Sequence, residues 1–295
     1  MYNDTHFQIG EYCAIYLDLM GQKNFLAELA QCDREEAQRR VDTLSTPLLR
    51  FKEGVRKSVA EAKDAARTVI MQAPVSGRKA DFLKMVDDVT AGIQQFSDTT
   101  LLYVKMESPV SFILLLKMIE FVVFRMLDDA GSGLSLRGGI AIGSGWEVDM
   151  NCLCGQVISD AYNFESKVSN WSRITTSELF VTRLKGVCAL SIAKCGCWFV
   201  ELLRPLLDLM QRDIDGVWFL DYLNPAVGEL YKREHFSSDW FIKRCEAGYN
   251  FINKQVELFR ATADKNHQHA KLALRYDIMR GYWKSRLQAW KEGGK

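Results

Sequence analysis

Two apolar stretches in this chain close on an aspartate, and together they limit the fold more than any other feature. In the first, Ala14-Ile15-Tyr16-Leu17-Asp18-Leu19-Met20-Gly21 reads as a buried strand that ends in an acid, with a glycine-led turn into a helix behind it. In the second, Gly92 to Phe96 and Thr99 to Val104 read as two strands folded about Ser97-Asp98. If these strands lie side by side, the carboxylates of Asp18 and Asp98 meet at one sheet edge. That is the hard oxygen ligation that Mg²⁺ or Mn²⁺ prefers.

The rest of the chain alternates in the same manner. Asn24 to Ala30 and Arg34 to Met71 carry helix formers broken only at Pro47 and Gly54, which predicts a helical hairpin or a longer excursion. Gln72 to Gly77 is a turn cluster. Pro109 starts a helix from Val110 to Ala130 that stops at Gly131-Ser132-Gly133, and Leu134 to Ile142 follows as a strand. Gly155 opens another helix to about Asn170, and Arg173 to Thr176 is a short strand. Gly196–Leu202 and Val217–Leu223 read as further strands around a helical piece near Leu206–Met210. The expected class is α+β, with a mixed, largely antiparallel sheet flanked by helices. Beyond Asn224-Pro225, Phe236 to Trp290 is strand-poor and aromatic-rich, with a polar break at Asp264 to His267. Two antiparallel helices packing on the core or on a second subunit are the simplest reading. Residues 1–224 and 225–295 therefore divide into a core domain and a helical extension.

Composition removes several function classes. A chain of 295 residues with 48% hydrophobic content can bury a large core. Lys and Arg number 38 against 37 acids, so no basic excess points to nucleic acid. The N-terminus has no apolar segment of signal-peptide length, and Val110–Met126 is interrupted by Lys117, Glu120 and Arg125, which argues for a buried or interface helix over a membrane span. A cytoplasmic protein with reduced cysteines is the expectation. Cys152-x-Cys154 and Cys195-x-Cys197 are spaced too closely for a structural zinc site. No dinucleotide or Walker-type phosphate loop is present. Arg137, inside an apolar strand, must pair with a phosphate or with a buried carboxylate.

Five motifs stand in a telling order: Asp18-x-x-Gly21, the Ser97-Asp98 hairpin, Leu136-Arg137-Gly138-Gly139-Ile140-Ala141-Ile142-Gly143, Gly155 to Glu165, and Ser172-Arg173-Ile174-Thr175-Thr176-Ser177. This series, from about Tyr12 to Leu223, resembles the class III nucleotidyl cyclases, closest to the bacterial anti-phage pyrimidine cyclases of the Pycsar type. The resemblance implies two divalent ions, Mn²⁺ or Mg²⁺, held by Asp18, the Leu19 carbonyl and Asp98. Met20, Gly21 and Gln22 come next at the mouth of a helix, where free N–H groups favour phosphate oxygens, and Lys23 could add a point charge. It also implies a homodimer with sites at the interface, to which the apolar Val110–Met126 helix would supply surface, and a product that acts on a separate effector.

The departures bear on mechanism and substrate. Where purine cyclases carry an Asn and an Arg four residues apart on one helix, this chain has Ser159 and Asn163, so a polar pair is kept and the positive charge is lost. Arg137 or a basic residue of a partner chain is the candidate replacement. The positions that select a purine hold Gln94 and Cys152. An amide can read a pyrimidine edge by paired donor and acceptor, which points to UTP first and CTP second; an ordinary strand role for Gln94 stands beside it. The alternative to an active enzyme is a catalytically silent, cyclase-like nucleotide-binding or scaffolding protein.

Overall fold

The computed structural model describes residues 8–19, 29–30, 32–74, 77–96, 99–128, 136–149, 152–194, 197–226, 237–264 and 267–293. Within them the chain is α+β. Strand β1 (Gly10–Leu19) leads to helices α1 (Arg34–Gln72) and α2 (Lys79–Asp88), then to strands β2 (Ala91–Phe96) and β3 (Thr99–Lys105). Helix α3 (Pro109–Asp128) crosses back to β4 (Leu136–Asp149), and β5 (Cys152–Cys154) comes after it. In space the strands run β2-β3-β1-β4-β6-β8-β7, with β5 on the far end of β4. The first four strands and their two helical crossovers form a split βαβ unit, in which the strand that opens the chain lies at the centre of the sheet.

The remaining elements extend that unit. Helix α4 (Gln156–Asn163) passes into a π-helical turn (Phe164–Val168), and β6 (Ile174–Thr176) adds to β4 in parallel. Helices α5 (Glu178–Lys194) and α6 (Cys197–Leu209) precede the short antiparallel pair β7 (Met210–Arg212) and β8 (Trp218–Leu220). Helices α7 (Ser238–Arg260) and α8 (His267–Gly293) close the described chain.

The two faces of the sheet are covered differently. Cys13, Ile15 and Leu17 of β1 point into the main core with α1, α2 and α3. Tyr12 and Ala14 point the other way, and with Leu101, Ala141, Val157 and Ala161 they form a smaller core beneath α4. Helix α4 reaches the strand because β4 carries a glycine beneath it: a Cβ on Gly139 would run into the Ala161 carbonyl. Gly155, at φ +131°, lets the chain turn into α4 against the Gly145 backbone.

Two sequence expectations are corrected. Of the helical hairpin or longer excursion expected between Asn24 and Met71, the described part is one long helix: α1 runs unbroken for 39 residues, begun by Asp33, whose side chain accepts from the Glu36 N–H at 2.8 Å. The described part of the expected strand Gly196–Leu202 is helical: α6 occupies Cys197–Leu209, because Phe199, Leu202, Leu203 and Leu206 recur at helical spacing and are all buried, which overrides the β-preference of Trp198-Phe199-Val200. The apolar residues of helix α3 that were expected to serve a second subunit are covered by this chain. Val110, Phe112 to Leu116, Met118, Ile119, Val122, Val123 and Leu127 are buried within this chain, and Lys117 pairs with Glu120 at 2.7 Å.

The C-terminal helices join the same apolar core. Phe241 stacks on Trp290 at 4.7 Å between centroids, and Trp240 stacks on Phe124 of α3 at 5.5 Å. The aromatics of this region are therefore used in packing, each fully buried one contributing about 1.5–3 kcal/mol. Polar bonds pin the hairpin where β8 ends. The Trp290 indole donates to the Leu223 carbonyl at 2.9 Å, the Tyr282 hydroxyl donates to Asp221 at 2.6 Å, and Arg286 pairs with the same carboxylate. Among the described residues, no helix is long and apolar enough to cross a membrane.

Candidate functional site

Strand register assembles one row of side chains across the sheet. Asp18 faces Thr99 on one side and Arg137 on the other, and Thr99 faces Phe96. Cross-strand partners share a face, so Phe96, Thr99, Asp18 and Arg137 line the α4 side of the sheet near the last residue of β1. The adjacent row on that face is Gln94, Leu101, Tyr16 and Gly139. A single strand thus delivers the acid, and its two neighbours deliver a hydroxyl and a guanidinium.

The contacts at Asp18 arise from that row. Arg137 donates to Asp18 Oδ2 through Nε at 3.2 Å and Nη2 at 3.0 Å. Thr99 Oγ1 lies 3.5 Å from Asp18 Oδ1, at the outer limit of a hydrogen bond. The Arg137 Nε also pairs with Glu165 Oε1 from the π-helical turn. The two acids on this arginine differ in exposure: the side chain of Asp18 is 17% exposed and that of Glu165 2%, with Arg137 between them at 23%. The π turn carries its own i+5 hydrogen bond, Ser169 N to Phe164 O at 2.8 Å, and the Ser169 hydroxyl donates to the Gly138 carbonyl at 2.8 Å, which fixes the turn beside Arg137 on β4. Beneath them, Tyr16 meets Tyr162 edge to face at 5.4 Å. Burial pushes the Tyr16 phenol above its ordinary range, against a pull downward from Thr99, and the Glu165 and Asp18 carboxylates push it up further.

The other sequence candidates are spread over several elements. Leu19 ends β1, paired with Leu136. Gln94 lies on the Asp18 face, and its amide donates to the Leu153 carbonyl at 3.4 Å. Cys152 sits on β5, at the end of β4 remote from Arg137. Ser159 is exposed and Asn163 half-buried. On α4 the sheet-facing residues are Val157 and Ala161; Ser159 and Asn163 are each two residues further on, about 200° around the helix. They are turned away from the sheet and do not converge on Asp18 of the same chain. Met20, Gly21, Gln22, Lys23 and Asp98 lie outside the described residues.

Sequence reasoning gave no role to Glu165, Thr99 or Tyr16. The need of Arg137 for a counter-charge was the available signal, and Glu165, an acid among the inward-packing residues Ala161 and Phe164, was its answer.

Asp18 is a candidate ligand for a divalent cation, with its carboxylate partly exposed near a strand end; a cation there would have to replace Arg137. Thr99, its cross-strand partner, is the chain neighbour of Asp98. Among the described residues no group of three or more His, Cys, Asp or Glu side chains converges as a metal site. A cleft of about 410 Å³, lined by Arg56, Val59, Gly92, Ile93 and Gln95, opens between α1 and the edge strand β2 and contains none of the candidate residues. Cys13, Cys154, Cys188 and Cys245 are free thiols. Comparison with protein-family models, with curated proteins and with solved structures finds no match.

Proposed function

We propose that this chain is a nucleotide cyclase of the class III type, which converts a pyrimidine nucleoside triphosphate, UTP before CTP, to its 3′,5′-cyclic monophosphate and pyrophosphate. The observation that carries the reading is the placement of Asp18 near the end of the central strand of a split βαβ sheet, in one row with Thr99 and Arg137. Two divalent cations bound there would lower the pKa of a ribose hydroxyl and neutralise charge on the leaving pyrophosphate. Asp18, the Leu19 carbonyl and Asp98 are the residues to hold them. Arg137, already beside that acid, is the cation available to triphosphate oxygens in place of the arginine absent at Asn163. The Gln94 amide is the candidate reader of the base edge.

The direction of Ser159 and Asn163 supports a two-chain site. Turned away from their own sheet, they would serve a nucleotide held by a second copy, in a homodimer whose sites each draw on both chains. The product would act on a separate effector, as an anti-phage signal. A silent nucleotide-binding or scaffold protein is the second reading, favoured by the uncharged Asn163 and by an Arg137 engaged with Asp18 and Glu165.

Purified protein incubated with each of the four ribonucleoside triphosphates and Mn²⁺, with products identified by mass, tests the proposal. A cyclic pyrimidine monophosphate that disappears in Asp18→Asn sustains it. Binding without turnover, in a folded dimer, selects the scaffold reading.

A further inference from the structure

One guanidinium serves two carboxylates of opposite character at this site. Glu165 is sealed at 2% side-chain exposure and anchored on a turn that is bonded to β4; Asp18 stands at the strand end and is reachable by solvent. A cation arriving at Asp18 meets Arg137 as a competitor already in place. The cost of displacing it depends on what else holds the arginine. With Glu165 present, Arg137 keeps an ion pair after it leaves Asp18; without Glu165, releasing Asp18 would strand a partly buried guanidinium.

We propose that Glu165 is a positioning residue that sets the affinity of Asp18 for divalent metal by keeping a counter-charge for Arg137 when the metal displaces it from Asp18, an inference that rests on the metal-dependent cyclase reading above. Glu165 touches neither metal nor nucleotide in this arrangement, and its effect runs entirely through Arg137. Two carboxylates compete for one arginine, and a metal ion competes with that arginine for one of the carboxylates.

The test is Mn²⁺ binding by the full chain without nucleotide, read from the electron paramagnetic resonance signal of free Mn²⁺, with thermal unfolding as the check on folding. Glu165→Gln keeps the side-chain shape and should weaken Mn²⁺ binding about tenfold, the scale of one charge interaction at a partly exposed site. Arg137→Gln removes the competitor and should tighten binding by a similar factor. In the double variant the Glu165 substitution should lose most of its effect, because the arginine it acts through is gone. Equal weakening by Glu165→Gln in both backgrounds overturns the proposal, since Glu165 would then act by its charge alone, and so does unchanged affinity in Glu165→Gln. If Glu165→Gln does not fold, Glu165→Asp takes its place: it keeps the charge but draws the carboxylate back by one methylene, and should also weaken binding only while Arg137 is present. Wild-type protein that binds no Mn²⁺, or binds it equally well as Asp18→Asn, overturns the metal reading along with this inference. Mn²⁺ binding that needs Asp18 but ignores Glu165 overturns this inference alone.

Discussion

Asp18 and Asp221 are both aspartates at strand ends, and both are gripped by an arginine from another element, yet they occupy opposite situations. The Asp18 side chain is 17% exposed, and its arginine is shared with a second acid. Asp221 is fully buried, with Arg286, the Tyr282 hydroxyl and Asn224 around it, and it ties helix α8 to the end of β8. Burial pushes the Asp221 carboxyl above the usual range even though Tyr282 and Arg286 pull it down. An acid sealed with its partners is a joint, whereas an acid left half-open beside a divisible partner can exchange that partner for a ligand.

The largest test of this contrast is Arg286→Ala, which leaves a buried carboxylate without its cation. A loss of about 3–5 kcal/mol is expected in urea unfolding at neutral pH. The deficit should shrink as pH falls, because the Asp221 carboxyl, already raised by burial, then takes a proton in place of the arginine. A loss below about 1 kcal/mol, the range of an exposed pair, would erase the distinction between the two sites.

Asp18→Asn should do the reverse. On the proposed cyclase reading, turnover should fall by at least about 100-fold, near 2.7 kcal/mol in the barrier. Unfolding free energy should change by less than about 1 kcal/mol, because the pair is partly solvated. A smaller, purely structural effect is expected of Trp290→Phe, which deletes the bond to the Leu223 carbonyl: about 1 kcal/mol of stability, with the contacts at Asp18 unchanged.

The smallest effect belongs to Asp215. The hydrogen bond from Arg173 holds its carboxyl below the ordinary value of 3.8, so the stability it contributes is complete above that pH and is lost as pH falls through the lower folded value. Asp215→Asn should lower stability slightly at neutrality, where the contribution is complete, and make no difference once pH is below the folded value, so that the acid limb of the stability curve flattens below about pH 4.

How much of this was legible in the sequence depended on whether a signal was local. Strand β1 with Asp18 near its end, the paired strands β2 and β3, and the C-terminal helices with their polar break were readable, because apolar runs and breakers lie next to one another along the chain. Helix α6 was misread because Trp198-Phe199-Val200 resembles a strand until the spacing of Leu202, Leu203 and Leu206 is taken with it. Helix α3 was recognised as apolar, but the sequence could not say whether its own chain or a partner covered it. At the site, Arg137 announced its need for a counter-charge; the identity of that charge depended on a turn that no local pattern specifies.

The π-helical turn at Phe164–Val168 gives this stretch a second kind of constraint. A π turn accommodates one residue more than an α-helical turn of the same span. Deleting any one of the five residues would restore the α-helical phase and rotate the downstream chain by about 100° relative to α4. Either Glu165 would swing off Arg137, or Ser169 would lose its seat on the Gly138 carbonyl. Chain length is therefore part of the specification here, and a deletion that removes only Ser166 or Lys167, whose side chains take no part in the row at Asp18, should disturb that row as severely as replacing one of its members.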